Sequence, residues 1–346
     1  MRRAVFNMHD ERPVWTPPSS FVERLRAALP SDWELIDVAA PVSGRGDGGG
    51  TSEEAVRAMA GAEIYFGLGL PRDLLLAGLA APGRLRWIHT GAAGVRSLLH
   101  PELAASDIVL TNSAGIHAEP IAETVIGMAL HFARGIDHAV RAQERAEWRA
   151  HIYESRDSGV RELSGATLGI VGYGGIGRAV ARRARALGMR VAASRRRSPA
   201  APHDGPAELI TGPGALERLL EQSDFLVLAA PSTSETRGLI GAPELARMKK
   251  GAVLINVARG DLIDEPALLA ALRNGRLRGA ALDVFATEPL PPESPLWQQP
   301  NVLVAPHVSA TSPRFWEREG ELILDNVKRY LGGRELRNVV DPVAGY

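Results

Sequence analysis

The chain of 346 residues balances 40 lysines and arginines against 40 aspartates and glutamates, so no overall charge argues for nucleic acid, a membrane surface or acidic partners. It has no cysteine, which excludes disulfides, a thiolate nucleophile and Cys-ligated metal and suits the cytoplasm. The length is that of about two domains. The N-terminal MRRAVFNMHD has only a short apolar run, and no window reaches the roughly 18 apolar residues of a spanning helix. A soluble protein without a signal peptide is expected.

In chain order, AVF at 4–6, ELIDV at 34–38, EIYFG at 63–67, LRWIHT at 85–90 and IVLTN at 108–112 are short apolar or β-branched runs. Amphipathic stretches such as SSFVERLRAAL at 19–29 lie between them. This predicts a small α/β domain. SGRGDGGG at 43–50 is a surface loop by composition. TGAAGVRSL from Thr90 follows a strand and precedes a helical run, so it is either an anion-binding turn with free backbone amides or a plain β-α turn.

From Glu119 to Arg149 a helical pattern places Ile121, Val125, Met128, Ala129 and Phe132 on one face. It is too long for an ordinary surface helix, so it divides or bridges two domains. HIYESRDSGVREL then loses periodicity, and LGIVGYGGIG at 168–177 opens the second domain. Leu168, Ile170 and Val171 suit a buried parallel strand, and Gly172, Gly174 and Gly177 follow as G-x-G-x-x-G. Such glycines give a tight turn, backbone approach to a pyrophosphate and close helix packing, with the phosphate at the helix N-terminus. RAVARRARALG continues as that helix, RVAAS from Arg190 is the next strand, and FLVLAA, AVLINVA, GAALDV and NVLVAP follow. Strands alternating with helices mean a parallel, doubly wound sheet whose ligands sit at the C-terminal strand ends.

At those ends stand Arg259 after LINVA, Glu288 after ALDVFAT and His307 after LVAP. Singly, each has an ordinary reading as a surface ion pair, a turn cap or a loop residue. Together, an arginine fork, an imidazole and a carboxylate are the set needed to hold a 2-oxo acid and protonate its carbonyl.

These motifs resemble the D-isomer-specific 2-hydroxyacid dehydrogenase family along essentially the whole chain. The matching segments are ELSGATLGIVGYGGIG at 162–177, APSTSETRGLI at 230–240, MKKGAVLINVARGDLIDEPAL at 248–268, ALDVFATEPLP at 281–291, APHVSATS at 305–312 and the closing GGRELRNVVDP at 332–342. The resemblance implies two doubly wound α/β domains around a cleft. A flavodoxin-like substrate domain would take 1–112 plus 308–346, and a Rossmann dinucleotide domain 113–307. It implies His307 as the acid that protonates the carbonyl, Glu288 as its hydrogen-bond partner, and Arg259 with the amides near Ala93 and Gly94 as the substrate anchors. Gly172, Gly174, Gly175, Ile176, Gly177, Ala230, Pro231, Val257, Ala258, Asp283 and Ser309 would line the cofactor, with Ala258 and Asp283 near the nicotinamide carboxamide. No metal is expected, and a homodimer is.

About 20 residues beyond such glycines an acidic residue usually binds the adenosine ribose, but this chain has SRRRS, with Arg195 placed 21 residues after Gly174. Ser194, Arg195, Arg196 and Arg197 suit a 2′-phosphate better than a carboxylate would. NADP(H) is therefore expected over NAD(H), the other reading being a solvated basic loop. Size and loop resemble glyoxylate and hydroxypyruvate reductases. An NAD-dependent relative such as phosphoglycerate dehydrogenase, formate or phosphite dehydrogenases, and a dinucleotide-sensing corepressor share the fold and remain alternatives.

Overall fold

The computed structural model describes residues 1–42, 52–80, 84–155, 158–195 and 205–341, and every count or absence below refers to these. The SGRGDGGG stretch, Arg196 and Arg197 lie outside them. The chain divides into two compact units, Met1–His117 with Thr311–Tyr346, and Ala118–Ala310. Local hydrogen bonds explain the exact divisions. Ser113 N donates to Ala92 O and Arg318 Nε to Ile116 O, which keeps 113–117 with the first unit. Val308 and Ser309 bond to Asp283, which keeps them with the second.

In the first unit, β1 (Arg2–Asn7), β2 (Trp33–Asp37), β3 (Ile64–Gly67), β4 (Trp87–Thr90) and β5 (Val109–Asn112) form a parallel sheet of order β2-β1-β3-β4-β5. Side chains alternate faces along a strand, and here both faces are apolar. Val5, Tyr65, Ile88 and Leu110 pack with Ala55, Met59, Leu74 and Leu75 from the helices Glu53–Met59 and Arg72–Leu79. Ala4, Phe6, Ile64, Phe66 and Trp87 pack with Phe21, Val22 and Leu25 of the helix Ser19–Ala28 and with Phe315, Ile323 and Val327 of the helix Phe315–Leu331. That double cover is why these strands read as continuous apolar runs rather than alternating ones.

In the second unit, β6 (Thr167–Val171), β7 (Arg190–Ser194), β8 (Glu208–Ile210), β9 (Phe225–Leu228), β10 (Ala252–Asn256), β11 (Leu277–Leu282) and β12 (Val302–Val304) form a parallel sheet of order β12-β11-β10-β9-β6-β7-β8. The strand order reverses between β6 and β9, the switch point at which such sheets bind ligands. Leu168, Ile170, Val227, Val253 and Ile255 face the helix Ala118–Ala133, while Val171, Leu226, Leu228 and Leu254 face the opposite core. The long helical pattern is divided at Gly135 (φ 67°) into Ala118–Ala133 and Ile136–Glu144. Its expected inner face, Ile121, Val125, Met128, Ala129 and Phe132, is buried. β8 has no counterpart in the sequence reading, being a three-residue edge strand.

Candidate active site

The glycine fingerprint is built as its spacing requires. Gly172 has φ 95°, and a Cβ on it would lie 2.7 Å from Ala229 O and Ala230 N. The exit of β6 is thus pressed against the exit of β9, where Ala230 and Pro231 stand. A Cβ on Gly177 would lie 2.3 Å from Gly172 O, whereas one on Gly174 meets nothing within 4 Å. The first and third glycines are therefore demanded by the chain's own packing, and the second leaves space outside it. The helix Gly175–Ala186 that follows has no side-chain cap and no acidic residue in its first turn. Its leading N–H groups, from Gly175, Ile176 and Gly177, remain for an anion, and the helix dipole favours negative charge there. A donor set of this kind with an open cradle at Gly174 fits a dinucleotide pyrophosphate. Gly172 N donates to Ser194 O (2.9 Å), bringing the end of β7 beside the fingerprint. Ser194 and Arg195 are half-buried there.

Three further strand exits carry the ionisable groups. After β10, the buried Asn256 folds the turn: its Nδ2 donates to Arg259 O (2.9 Å) and its Oδ1 accepts from Ala258 N (3.1 Å). Val257 and Ala258 are buried, and Arg259 emerges half-buried with Nη1 donating to Ala258 O (2.7 Å). The Arg259 guanidinium pairs with no carboxylate among the described residues, so its charge is available for an anionic ligand. After β11, Asp283 is fully buried. Its carboxylate accepts Val308 N–H (2.8 Å), Ser309 N–H (3.1 Å) and the Ser309 hydroxyl. Those bonds pin the chain just beyond His307, which sits at φ 54°, a left-handed conformation that costs a non-glycine residue about 1–3 kcal/mol unless its surroundings fix it. Glu288 then meets His307. Its Oε2 bonds His307 Nδ1 at 2.7 Å, and its Oε1 accepts Phe285 N–H at 2.9 Å. With Nδ1 engaged, Nε2 is the ring nitrogen that can pass a proton.

The first unit holds the remaining expected residues at the exit of β4. Ala92 O accepts Ser113 N–H (3.1 Å) and Ala93 O accepts Asn112 Nδ2 (2.9 Å). In a planar trans peptide the N–H points opposite to the C=O. The N–H groups of Ala93 and Gly94 are therefore turned away from β5, and neither has a partner among the described residues. Two outward N–H groups are what the anion-binding reading, one of the two that the sequence left open, requires of this turn.

Residues 126–309 match the family model described as D-isomer specific 2-hydroxyacid dehydrogenase, NAD binding domain. The chain belongs to this family. Membership in the D-isomer specific 2-hydroxyacid dehydrogenases makes it an NAD(P)-dependent oxidoreductase. It is 38% identical over 264 residues to the glyoxylate reductase of Korarchaeum cryptofilum, covering 76% of this chain and 77% of that protein. A D-isomer specific 2-hydroxyacid dehydrogenase from Xanthobacter autotrophicus Py2, solved with NADPH and MES, superposes with TM-score 0.78 at 30% identity, covering 100% of this chain and 99% of that one. The NADPH-dependent glyoxylate/hydroxypyruvate reductase of Sinorhizobium meliloti, solved with NADP and sulfate, does so with TM-score 0.76 at 29% identity over the whole of both chains. No helix among the described residues is long and apolar enough to cross a membrane.

Asn256 escaped the sequence reading, and the partners of Asp283 did too. Asn256 gives no local signal, since an asparagine closing an apolar strand reads only as a turn residue. Asp283 was expected beside the nicotinamide. Its bonds make it the anchor of the His307 loop, a long-range partnership that spacing does not reveal.

Proposed function

We propose that this dehydrogenase reduces a small 2-oxo acid, of the glyoxylate or hydroxypyruvate kind, to the D-2-hydroxy acid with NADPH. The observation that carries the reading is the bond between His307 Nδ1 and Glu288 Oε2 at the ligand edge of the dinucleotide sheet. Glu288 holds the imidazole so that Nε2 gives its proton to the carbonyl oxygen as that oxygen gains charge. Arg259 binds the carboxylate and polarises the carbonyl with a guanidinium no protein carboxylate competes for. The Ala93 and Gly94 amides of the first unit are the further donors this reading gives to a substrate carboxylate, and they support reading that unit as the substrate domain. NADPH, when bound, supplies the hydride to C2. The backbone of Gly174 to Gly177 holds the pyrophosphate, and Ser194 and Arg195, with Arg196 and Arg197 beyond the described residues, take the 2′-phosphate. Ala258, Asp283 and Ser309 stand on the nicotinamide side. Relatives named glyoxylate reductase, and similar structures solved with NADPH or NADP, support both the substrate class and the cofactor.

The test is absorbance at 340 nm with NADPH or NADH against glyoxylate, hydroxypyruvate, pyruvate and a bulky 2-oxo acid. Rapid NADPH oxidation with the small acids is expected. A preference for NADH would leave the reaction standing and overturn the reading of Ser194 to Arg197. Tight dinucleotide binding without turnover of any acid would favour a corepressor-type binding protein instead. Neutral replacements of Arg195 and Arg196 should raise KM for NADPH far more than for NADH. The reading includes a homodimer, supported by the exposed Ile136, Val140 and Trp148 of the second unit and checked by light scattering.

A further inference from the structure

The reading above gives the Ala93 and Gly94 amides to the substrate carboxylate, and the present inference rests on it. Behind those amides lies a buried polar cluster that takes no part in proton or hydride transfer. Ser113, the residue after β5, grips the loop through its N–H, which donates to Ala92 O (3.1 Å), and its hydroxyl oxygen lies 2.9 Å from Thr90 O. The same hydroxyl lies 2.9 Å from Glu319 Oε1, on the helix Phe315–Leu331. That oxygen also lies 2.9 Å from His89 Nε2, and His89 Nδ1 is 2.9 Å from Thr111 Oγ1, which accepts the Trp87 indole N–H at 2.8 Å. His89, Thr111, Ser113 and Glu319 have no exposed surface.

Stability alone does not account for this cluster. A carboxylate taken wholly out of water is costly unless every lone pair is met, and an apolar side chain of the same size usually replaces it without loss. Glu319 Oε2 is buried without a hydrogen bond among the described residues. What the arrangement does secure is direction. Ala92 and Ala93 each have their carbonyl drawn toward β5, by the Ser113 N–H and the Asn112 carboxamide. A planar peptide converts a fixed carbonyl into a fixed N–H on its opposite side. The single Ser113 hydroxyl hydrogen serves one acceptor at a time; given to Glu319, itself braced by His89, it ties down Ser113 and with it the N–H that holds Ala92 O.

We propose that Glu319, acting through Ser113, is a positioning residue that aims the Ala93 and Gly94 amides at the substrate carboxylate. The experiment measures KM and kcat of Ser113→Ala, Glu319→Met and Glu319→Gln for the best of the four acids, KM for NADPH, inhibition by oxamate, and melting temperature. Amides that hold the carboxylate equally in ground and transition states act on KM. Ser113→Ala and Glu319→Met should therefore raise KM for the acid and weaken oxamate inhibition about tenfold, the effect of one buried hydrogen bond, while kcat and KM for NADPH stay within about threefold. Glu319→Gln keeps an acceptor oxygen toward Ser113 and His89, with its NH2 in the place of the unpartnered Oε2, and should restore KM for the acid. A merely structural role would lower the melting temperature and leave KM alone. If Glu319→Met does not fold, Ser113→Ala decides, because it leaves the His89–Glu319 bond in place. A wild-type protein that turns over no acid and does not respond to oxamate overturns the functional reading and this inference with it. A wild-type protein that does both, beside Ser113→Ala and Glu319→Met of unchanged KM, overturns this inference alone.

Discussion

Replacing Glu288 with glutamine tests the proton-donating pair at the level of single atoms. The carboxylate serves two donors with two oxygens: Oε1 accepts Phe285 N–H at 2.9 Å and Oε2 meets His307 Nδ1 at 2.7 Å. A carboxamide has one oxygen. Phe285 N–H is fixed by the backbone, so Glu288→Gln keeps its oxygen there and turns NH2 toward the ring. Nδ1 must then accept rather than donate, which confines the imidazole to one proton on Nε2. The variant loses a charge-assisted bond worth about 1.5–3 kcal/mol, or about 10- to 150-fold in rate. The two side chains are 34% and 48% exposed, and solvent screening places the effect at the lower end, about 10- to 30-fold in kcat/KM. Steady-state reduction of the best acid, followed at 340 nm, measures it. KM for NADPH and the melting temperature should stay unchanged, because the Phe285 bond survives. A Glu288→Gln enzyme within about threefold of wild type would refute the role given to the pair.

Three other expectations follow from different parts of the second unit. Gly177→Ala places a methyl 2.3 Å from Gly172 O and should abolish folding of the fingerprint, while Gly174→Ala meets nothing within 4 Å and should keep its melting temperature yet weaken NADPH binding in a fluorescence titration, by occupying the pyrophosphate cradle. Asp283→Ala strands the N–H groups of Val308 and Ser309. It should cost about 3 kcal/mol of stability and lower kcat more than KM, with Asp283→Asn intermediate because it still accepts from Val308. Burial pushes the Asp137 carboxyl up, but the hydrogen bond and charge of Arg278, with His138 and Arg141, outweigh it and hold the group below the ordinary aspartate value. A lowered folded value gives stability that is complete above the unfolded value of about 3.9 and is lost as pH falls through the folded one. The melting temperature should accordingly drop between pH 5 and pH 3 (about that window), less steeply in Asp137→Asn. At neutral pH that variant leaves the largely buried Arg278 unpaired, at a cost of about 3 kcal/mol.

The two parallel sheets were legible because their central strands bury both faces. AVF, EIYFG and FLVLAA carry no polar alternation, and only helices on both sides of a parallel sheet make such runs economical of water. The fingerprint was legible for a similar reason: Gly172 and Gly177 are required by contacts within about ten residues of sequence or with the adjacent strand exit. β8 was not, since three residues at a sheet edge carry too little pattern. The anchors of the site were also hidden. Asp283 meets Val308 and Ser309, Asn256 meets Arg259, and Glu319 meets His89 and Ser113. In two of these three cases the partners are far apart in sequence, and a polar residue at a strand end looks the same whether it faces water or holds a loop.

The strand exits of the two units arrive at one chemical character by opposite means. In the first, donors from β5 and its exit take the carbonyls of Ala92 and Ala93, which leaves amide hydrogens outward. In the second, acceptors take N–H groups: Asp283 those of Val308 and Ser309, Glu288 that of Phe285, and Asn256 that of Ala258. The anion-seeking groups left over are the Arg259 guanidinium, the His307 ring and the uncapped start of Gly175–Ala186. Both units thus present donors in a chain whose formal net charge is +0. Attraction for anionic ligands here comes from oriented peptide dipoles and two side chains, with no contribution from net charge. That is why composition, which gave no argument for charged macromolecular partners, was silent about a small anion.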